Sequence, residues 1–306
     1  QTILMSNQIH TTMKESKSKL TPVASRDDIC FPVHKIKNPE WTNSDHSRII
    51  VGLIDGKRKM LNYCSPIYEL IRNSEVFPKI EELFDANGIQ FEAKYSHVKH
   101  VHFYADYIVK DPRFARALLG TNDIIVWKWH QQMSYNGKTK LMGWGGFFRQ
   151  VCTNGLCIPC AELKQYNLVI GGKHTESVRI QLAKFDAMLK NLTNDITTVM
   201  DTIVKKYEML GGRMVTKPED RVTEVLKAVG ITAVENSKFN TVNDIVFRIT
   251  EELKKPEMRG YNGKINDWLV YNGINQYIND NNRNSTLPEK RNEIDTKVLE
   301  YMLENA

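Results

Sequence analysis

Between Ile124 and Ala161 the chain contains no Asp or Glu, yet the same stretch carries Lys128, Lys138, Lys140 and Arg149. Interleaved with them are Trp127, Trp129, Tyr135, Trp144, Phe147 and Phe148, and His130 can add further charge. Cations that track a phosphate backbone and flat rings that stack on unpaired bases are the two ingredients of single-strand binding, each stacked base being worth roughly 1–3 kcal/mol. Lys94 and Lys99, in the preceding segment, extend the candidate set. Period-two alternation puts Trp127 and Trp129 on one face of a strand and Lys128 on the other, so these three do not serve one surface. Tryptophan at this spacing also serves as plain packing.

Other chemistry has less behind it. Cys152, Cys157 and Cys160 form C-x4-C-x2-C, with His130 and His174 nearby in sequence. Thiolates and an imidazole hold zinc, but a second C-x-x-C knuckle is missing, and buried free cysteine is common. His97, His100 and His102 lie in HVKHVH; in an extended strand the last two share a face and His97 takes the other. Gly143-Trp144-Gly145-Gly146 completes neither a phosphate loop nor a dinucleotide fingerprint. The acidic pairs Asp27-Asp28, Glu81-Glu82 and Glu251-Glu252 read as solvated faces. No nucleophile elbow or H-E-x-x-H motif is present. No cofactor or metal is expected, and no catalytic residue set stands out.

The positioning elements follow from pattern and composition. The 306 residues include 42 Lys/Arg and 36 Asp/Glu, for a formal charge of +6. All of that excess lies in the first 150 residues, which hold 21 basic and 15 acidic side chains. No stretch is apolar enough to cross a membrane, and the polar first residues lack the apolar core of a signal peptide. Five cysteines at irregular spacing suit a reducing compartment.

Residues 1–28 read as a flexible arm and residues 29–212 as a basic, sheet-rich core with a long helix. Residues 213–306 read as a helical region. Cys30 to Lys37 suits a strand, and Arg48 to Tyr63 a hairpin turning at Asp55-Gly56. Ser65-Pro66 opens a helix, in one piece or two joined near Pro78, that ends at Asn87-Gly88. Alternation over Ile89 to Lys110 favours strands, Pro112 to Gly120 a short helix, and Asp123 to Val151 a second hairpin. The fold class is α+β, an antiparallel sheet with a β-β-α-β-β-β-α core followed by a helical C-terminal half.

From Val178 to Ile203 apolar residues recur at heptad-like spacing on one helix that ends at Gly211-Gly212. That seam either covers the chain's own core or joins subunits. Further helices are expected over Pro218 to Val229, Thr241 to Lys255, Ile265 to Asp280 and Leu287 to Leu303.

Two stretches, FFRQVCTNGLCIP at 147–159 and DWLVYNGINQYINDNNRN at 267–284, resemble the phage/plasmid-like family catalogued as domain of unknown function 932. Arg149, Val151, Cys152, Asn154 and Gly155 match that family's R-x-V-C-x-N core. Trp268, Asn272, Asn275 and Tyr277 match its later helix, with Gly273 where Ala is usual. The resemblance implies a phage or plasmid setting, in the cytoplasm of a bacterial host or with a virion, and no settled activity. The element order also has a weaker likeness to ring- or filament-forming single-strand annealing proteins.

These readings converge on a non-catalytic protein that binds or anneals single-stranded nucleic acid, as a homo-oligomer, in replication or recombination. Lys94, Lys99, Lys128, Lys138, Lys140 and Arg149 are the expected phosphate contacts, with Trp127, Trp129, Tyr135 and Trp144 as stacking rings. The alternative is a structural or interaction protein of a phage particle or counterdefence system that assembles through its helices.

Overall fold

The computed structural model describes residues 21–39, 47–118, 120–136, 141–149, 178–231, 235–236, 239–282 and 288–305. Among these, antiparallel strands dominate the first half and helices the second, an α+β arrangement.

A small sheet is a meander of β2 (Val33–Lys37), β3 (Arg48–Ile54) and β4 (Lys57–Cys64). Asp55 and Gly56, at φ 53° and 71°, make the two-residue turn expected between β3 and β4. A register shift at Ile50/Val51 places a bulge opposite, at Leu61.

Helix α1 (Asn73–Ala86) begins eight residues after Ser65 and continues through Pro78. Residues 65–72 stay non-helical because their groups are taken elsewhere: Lys35 Nζ donates to the Pro66 and Tyr68 carbonyls at 3.0 and 2.7 Å. The helix starts where Glu75 accepts the Arg72 N–H at 3.0 Å and Asn73 Nδ2 donates to the Ile29 carbonyl.

The main sheet runs β1 (Thr21–Val23), β5 (Phe91–Val98), β6 (His102–Val109), β8 (Ile124–Ser134). The short β7 (Ala115–Ala117) continues along the β6 edge of β8, and β9 (Met142–Arg149) pairs along the other. Residues 112–114, expected within a helix running to Gly120, form a single 3-10 turn before β7. The short β1 and β7 lie beyond the expected strands, and the strands favoured over Ile89 to Lys110 form the β5–β6 hairpin. Its turn is Lys99-His100, both at positive φ (53° and 55°), closed by the Val101 N–H on the Val98 carbonyl.

One face of this sheet is the core. Phe103, Ala105, Tyr107 and Val109 of β6 alternate inward, as do Ile125, Trp127, Trp129 and Met133 of β8. Phe84 of α1 reaches Trp127 (6.2 Å between ring centres), and Phe185 of the long helix α2 (Val178–Gly212) reaches Trp129 (4.6 Å). The indoles fit because β9 has glycine beside each. A Cβ on Gly143 would lie 2.3 Å from Trp129, and one on Gly145 would lie 2.7 Å from Trp127.

Helix α2 (Val178–Gly212) carries the heptad-like seam, and its Phe185, Leu189, Leu192, Ile196, Val199 and Ile203 are all buried within this one chain. The seam meets α1, the 112–114 turn and the helices α5 (Asp267–Asn282) and α6 (Pro288–Glu304). It therefore presents no apolar stripe to a second subunit. The remaining helices are α3 (Pro218–Ala228) and α4 (Thr241–Leu253), the latter preceded by the short strands β10 (Glu235–Asn236) and β11 (Phe239–Asn240).

Helix α5 is the centre of the helical half, with Trp268 to Ile274 buried. At Gly273 the α4 side chain of Ile249 comes within 2.5 Å of where a Cβ would sit, which explains glycine where the resemblance leads one to expect alanine. The start of α5 is clamped by Arg221 of α3, whose Nε and Nη2 each donate to Asp267 at 2.9 Å. Deeper in, the fully buried Asp295 of α6 accepts from Tyr271 Oη (2.9 Å) and from Asn275 Nδ2.

Two predictions follow from this packing. Gly143→Ala and Gly145→Ala each force an indole to move and should destabilise by roughly 1–3 kcal/mol, read as a lower urea midpoint at unchanged slope. Burial pushes the Asp295 carboxyl up to about 7, against the pull of its two hydrogen-bond donors. The unfolded carboxyl ionises near pH 4, so this group's contribution to stability falls as pH rises through about 4 to 7. Asp295→Asn removes that slope: its stability relative to the parent should rise by a few kcal/mol between about pH 4 and pH 8, measured by urea unfolding at both.

Candidate nucleic-acid interface

Among its described residues, the acid-poor stretch does not present its rings and cations on one open face. Trp127, Trp129 and Tyr135 are at most 1% exposed, so no ring face is available for a base. The alternation expected of β8 holds, but the face with the indoles is the interior one. Tyr135 Oη instead accepts the Asn73 N–H at 3.0 Å, tying the end of β8 to α1.

Lys128 points to the opposite face and is itself buried, 3.4 Å from Asp106 Oδ1 on β6. His130 Nδ1 meets the same oxygen at 2.6 Å. Burial alone would raise the Asp106 carboxyl, but Lys128 and His130 outweigh it and hold the group well below the usual carboxylate range. Trp144 shares this face, half-buried with its ring centre 4.3 Å from that of His130. Lys128 is thus a partner of Asp106 and His130, not a solvent-facing phosphate contact.

Arg149 is also corrected. It is 2% exposed, and its Nε lies 2.9 and 2.8 Å from the two oxygens of Asp123. Nη2 donates to Glu252 of α4 at 3.0 Å, and the guanidinium lies 5.7 Å from the centre of the Trp268 ring. Trp268 Nε1 donates to Asp123 at 2.8 Å. The residues that carried the resemblance in two separate stretches, Arg149 and Trp268, therefore converge on one carboxylate. Asn272 donates to the Trp268 carbonyl, Asn275 to Asp295, and Tyr277 Oη is 3.2 Å from Thr241 Oγ1. These are packing roles. Val151, Cys152, Asn154, Gly155, Cys157, Cys160 and His174 lie outside the described residues, as do Lys138 and Lys140. Among the described residues no cluster of three His, Cys, Asp or Glu side chains suits a metal ion, and no helix is long and apolar enough to cross a membrane.

Lys94 and Lys99 remain exposed. Lys94 lies 3.6 Å from Glu92 on its own strand. Lys99 stands in the β5–β6 turn, where the reversal at Lys99-His100 stacks His100 on His97 at 3.9 Å, an arrangement an extended HVKHVH strand would forbid. Burial, then His100, lowers the His97 pKa. Burial, then Lys59, lowers that of His100, with Asp55 opposing.

That coupling reveals what the sequence reading missed. Lys59 of the β3–β4 hairpin lies close enough to His100 of the β5–β6 turn to act on it electrostatically, and the Phe31 ring, which a Cβ on Gly52 of β3 would meet, is 6.1 Å from that of His100. Two turns from two different sheets thus approach each other, with Lys57 and Lys59 exposed on the first and Lys99 on the second, and Asp55 is the carboxylate of the first turn, 3.7 Å from Lys59. The available signal was D-G-K-R-K, three successive cations directly after a hairpin turn.

Comparison with protein-family models, with curated proteins and with solved structures returned no match for the chain.

Arg149→Ala would leave Asp123 and Glu252 buried without their cation. It should destabilise the protein by roughly 3–5 kcal/mol in chemical unfolding.

Proposed function

We propose that this protein binds single-stranded nucleic acid without transforming it, and that the paired hairpin tips hold the phosphate backbone. The observation that carries the proposal is the approach of the β3–β4 hairpin, at Lys59, to the β5–β6 turn, at His100, with Lys57, Lys59 and Lys99 exposed on these turns. Ammonium groups on projecting turns reach phosphates with little desolvation and release condensed counterions.

The preference for single strands is supported by the order of a hairpin, a helix, further antiparallel strands and a long helix, a weak likeness to annealing proteins. The resemblance to the phage/plasmid-like family supports a mobile-element setting in a bacterial host. Several copies sharing one strand would meet through a surface other than the α2 seam, which is spent inside the chain. A second reading, an interaction protein of a phage particle or counterdefence system, is favoured by an exposed apolar face on the small sheet, taken up below.

The test is fluorescence anisotropy with a labelled oligothymidylate of about 30 nucleotides and a duplex of equal length. Neutralising about three phosphates should weaken single-strand binding roughly twentyfold between about 50 and about 200 mM salt. The combined substitution Lys57→Glu, Lys59→Glu, Lys99→Glu should weaken it at least about tenfold with the melting midpoint unchanged. Binding should also tighten as pH falls from about 8 to about 5.5. A bound phosphate offsets Lys59, so the depressed His100 gains a proton on binding, and His100→Gln should flatten that dependence. Equal, negligible retention of both nucleic acids would remove the proposal.

A further inference from the structure

The small sheet has a second face that the nucleic-acid reading does not use. Directly paired residues share a face, so Lys57 and Lys59, opposite Ile54 and Gly52, stand on the side that packs toward Phe31 and the body. Arg58, opposite Leu53, stands on the other. That outer face collects Ile36 and His34 from β2, Ile49, Val51 and Leu53 from β3, and Met60 and Tyr63 from β4. Ile36, Leu53 and Met60 are 45%, 42% and 55% exposed, and Ile49 and Val51 are half-buried between them.

Single exposed aliphatic residues need no explanation, but a contiguous set across three strands marks an interaction surface. Its margin is cationic. His34 and Arg58 lie on the face, and Asp55 is the one carboxylate among the described residues of this sheet and its turn.

We infer that this outer face docks an acidic amphipathic helix of a partner protein. The helix sets an apolar stripe across Ile36, Val51, Leu53 and Met60, and its flanking carboxylates meet Arg58 and His34. The charge complementarity selects this occupant. Nucleic acid matches the margin but not the centre, where aliphatic side chains surround the single aromatic residue Tyr63, too little flat surface to stack successive bases. A second copy matches the centre but brings two cationic margins together.

The probe is a labelled synthetic helix of about 18 residues with Leu at i, i+3, i+4 and i+7 and Glu elsewhere, titrated against the full chain by anisotropy. A scrambled peptide of the same composition is the control. Saturable binding is expected, weakened at least about tenfold by Leu53→Glu with Met60→Glu and several-fold by Arg58→Glu. Each variant is checked for an unchanged melting midpoint, and Arg58→Glu tests the charge half with the apolar face intact. Lys99→Glu, which belongs to the phosphate-binding tips alone, should leave peptide binding unchanged, so failure of one proposal is distinguishable from failure of the other. The inference is overturned if the designed helix binds no better than the scrambled one, or if the face variants leave its binding unchanged. It is equally overturned if those variants instead abolish binding to oligothymidylate or phosphatidylserine vesicles, or self-association in sedimentation, while peptide binding persists.

Discussion

The relation between the sheet and the helices depends on one buried guanidinium. Arg149 ends β9, and Asp123 directly precedes β8, so their pairing closes the base of the β8–β9 hairpin. Glu252 and Trp268 bring α4 and α5 to the same point. A cation in an apolar interior is tolerated only with its donors matched to acceptors, and the acceptors here come from distant parts of the chain. The arrangement therefore rewards one placement of the helical half against the sheet. The backbones converge nearby as well: a Cβ on Gly260 would lie 1.7 Å from the Gly120 carbonyl oxygen, so only glycine permits the contact.

This constraint redistributes the chemistry suggested by composition. The rings of the acid-poor stretch are the interior of a sheet-on-helix core, held by glycines in β9 and by Phe84 and Phe185 above. Its cations at Lys128 and Arg149 neutralise carboxylates in low-dielectric surroundings, where an unpaired charge is costly. What is left to face a polyanion comes from two hairpin turns far apart in sequence. The small sheet then divides its labour by alternation, with Lys57 and Lys59 on one side and Arg58 among exposed aliphatic groups on the other.

Much of the secondary structure was legible because local signals decide it. Asp55-Gly56 specifies a tight hairpin since both residues accept positive φ. The apolar spacing from Val178 to Ile203 specifies a helix, and the glycines after it a stop. Helices α3 to α6 begin and end within a few residues of their patterns. The local signals misled where a tertiary contact outbid them. Ser65-Pro66 is a good helix start, but Lys35 captures the carbonyls that follow. Lys99-His100 carries no glycine, yet the chain turns there because strand pairing on both sides and the His97–His100 stack hold it.

The sequence by itself determined the sheet-then-helix order, the β3–β4 turn, the extents of α3 to α6, and the alternation that separates Trp127 and Trp129 from Lys128. These follow from backbone sterics and side-chain periodicity, which act over a few residues. Only the tertiary structure decided which face of each strand became interior, which cations met carboxylates, and which turns came together at the surface. Those outcomes depend on partners tens to hundreds of residues away, such as Asp123 for Trp268 and Glu252 for Arg149, and composition carries no record of such distances.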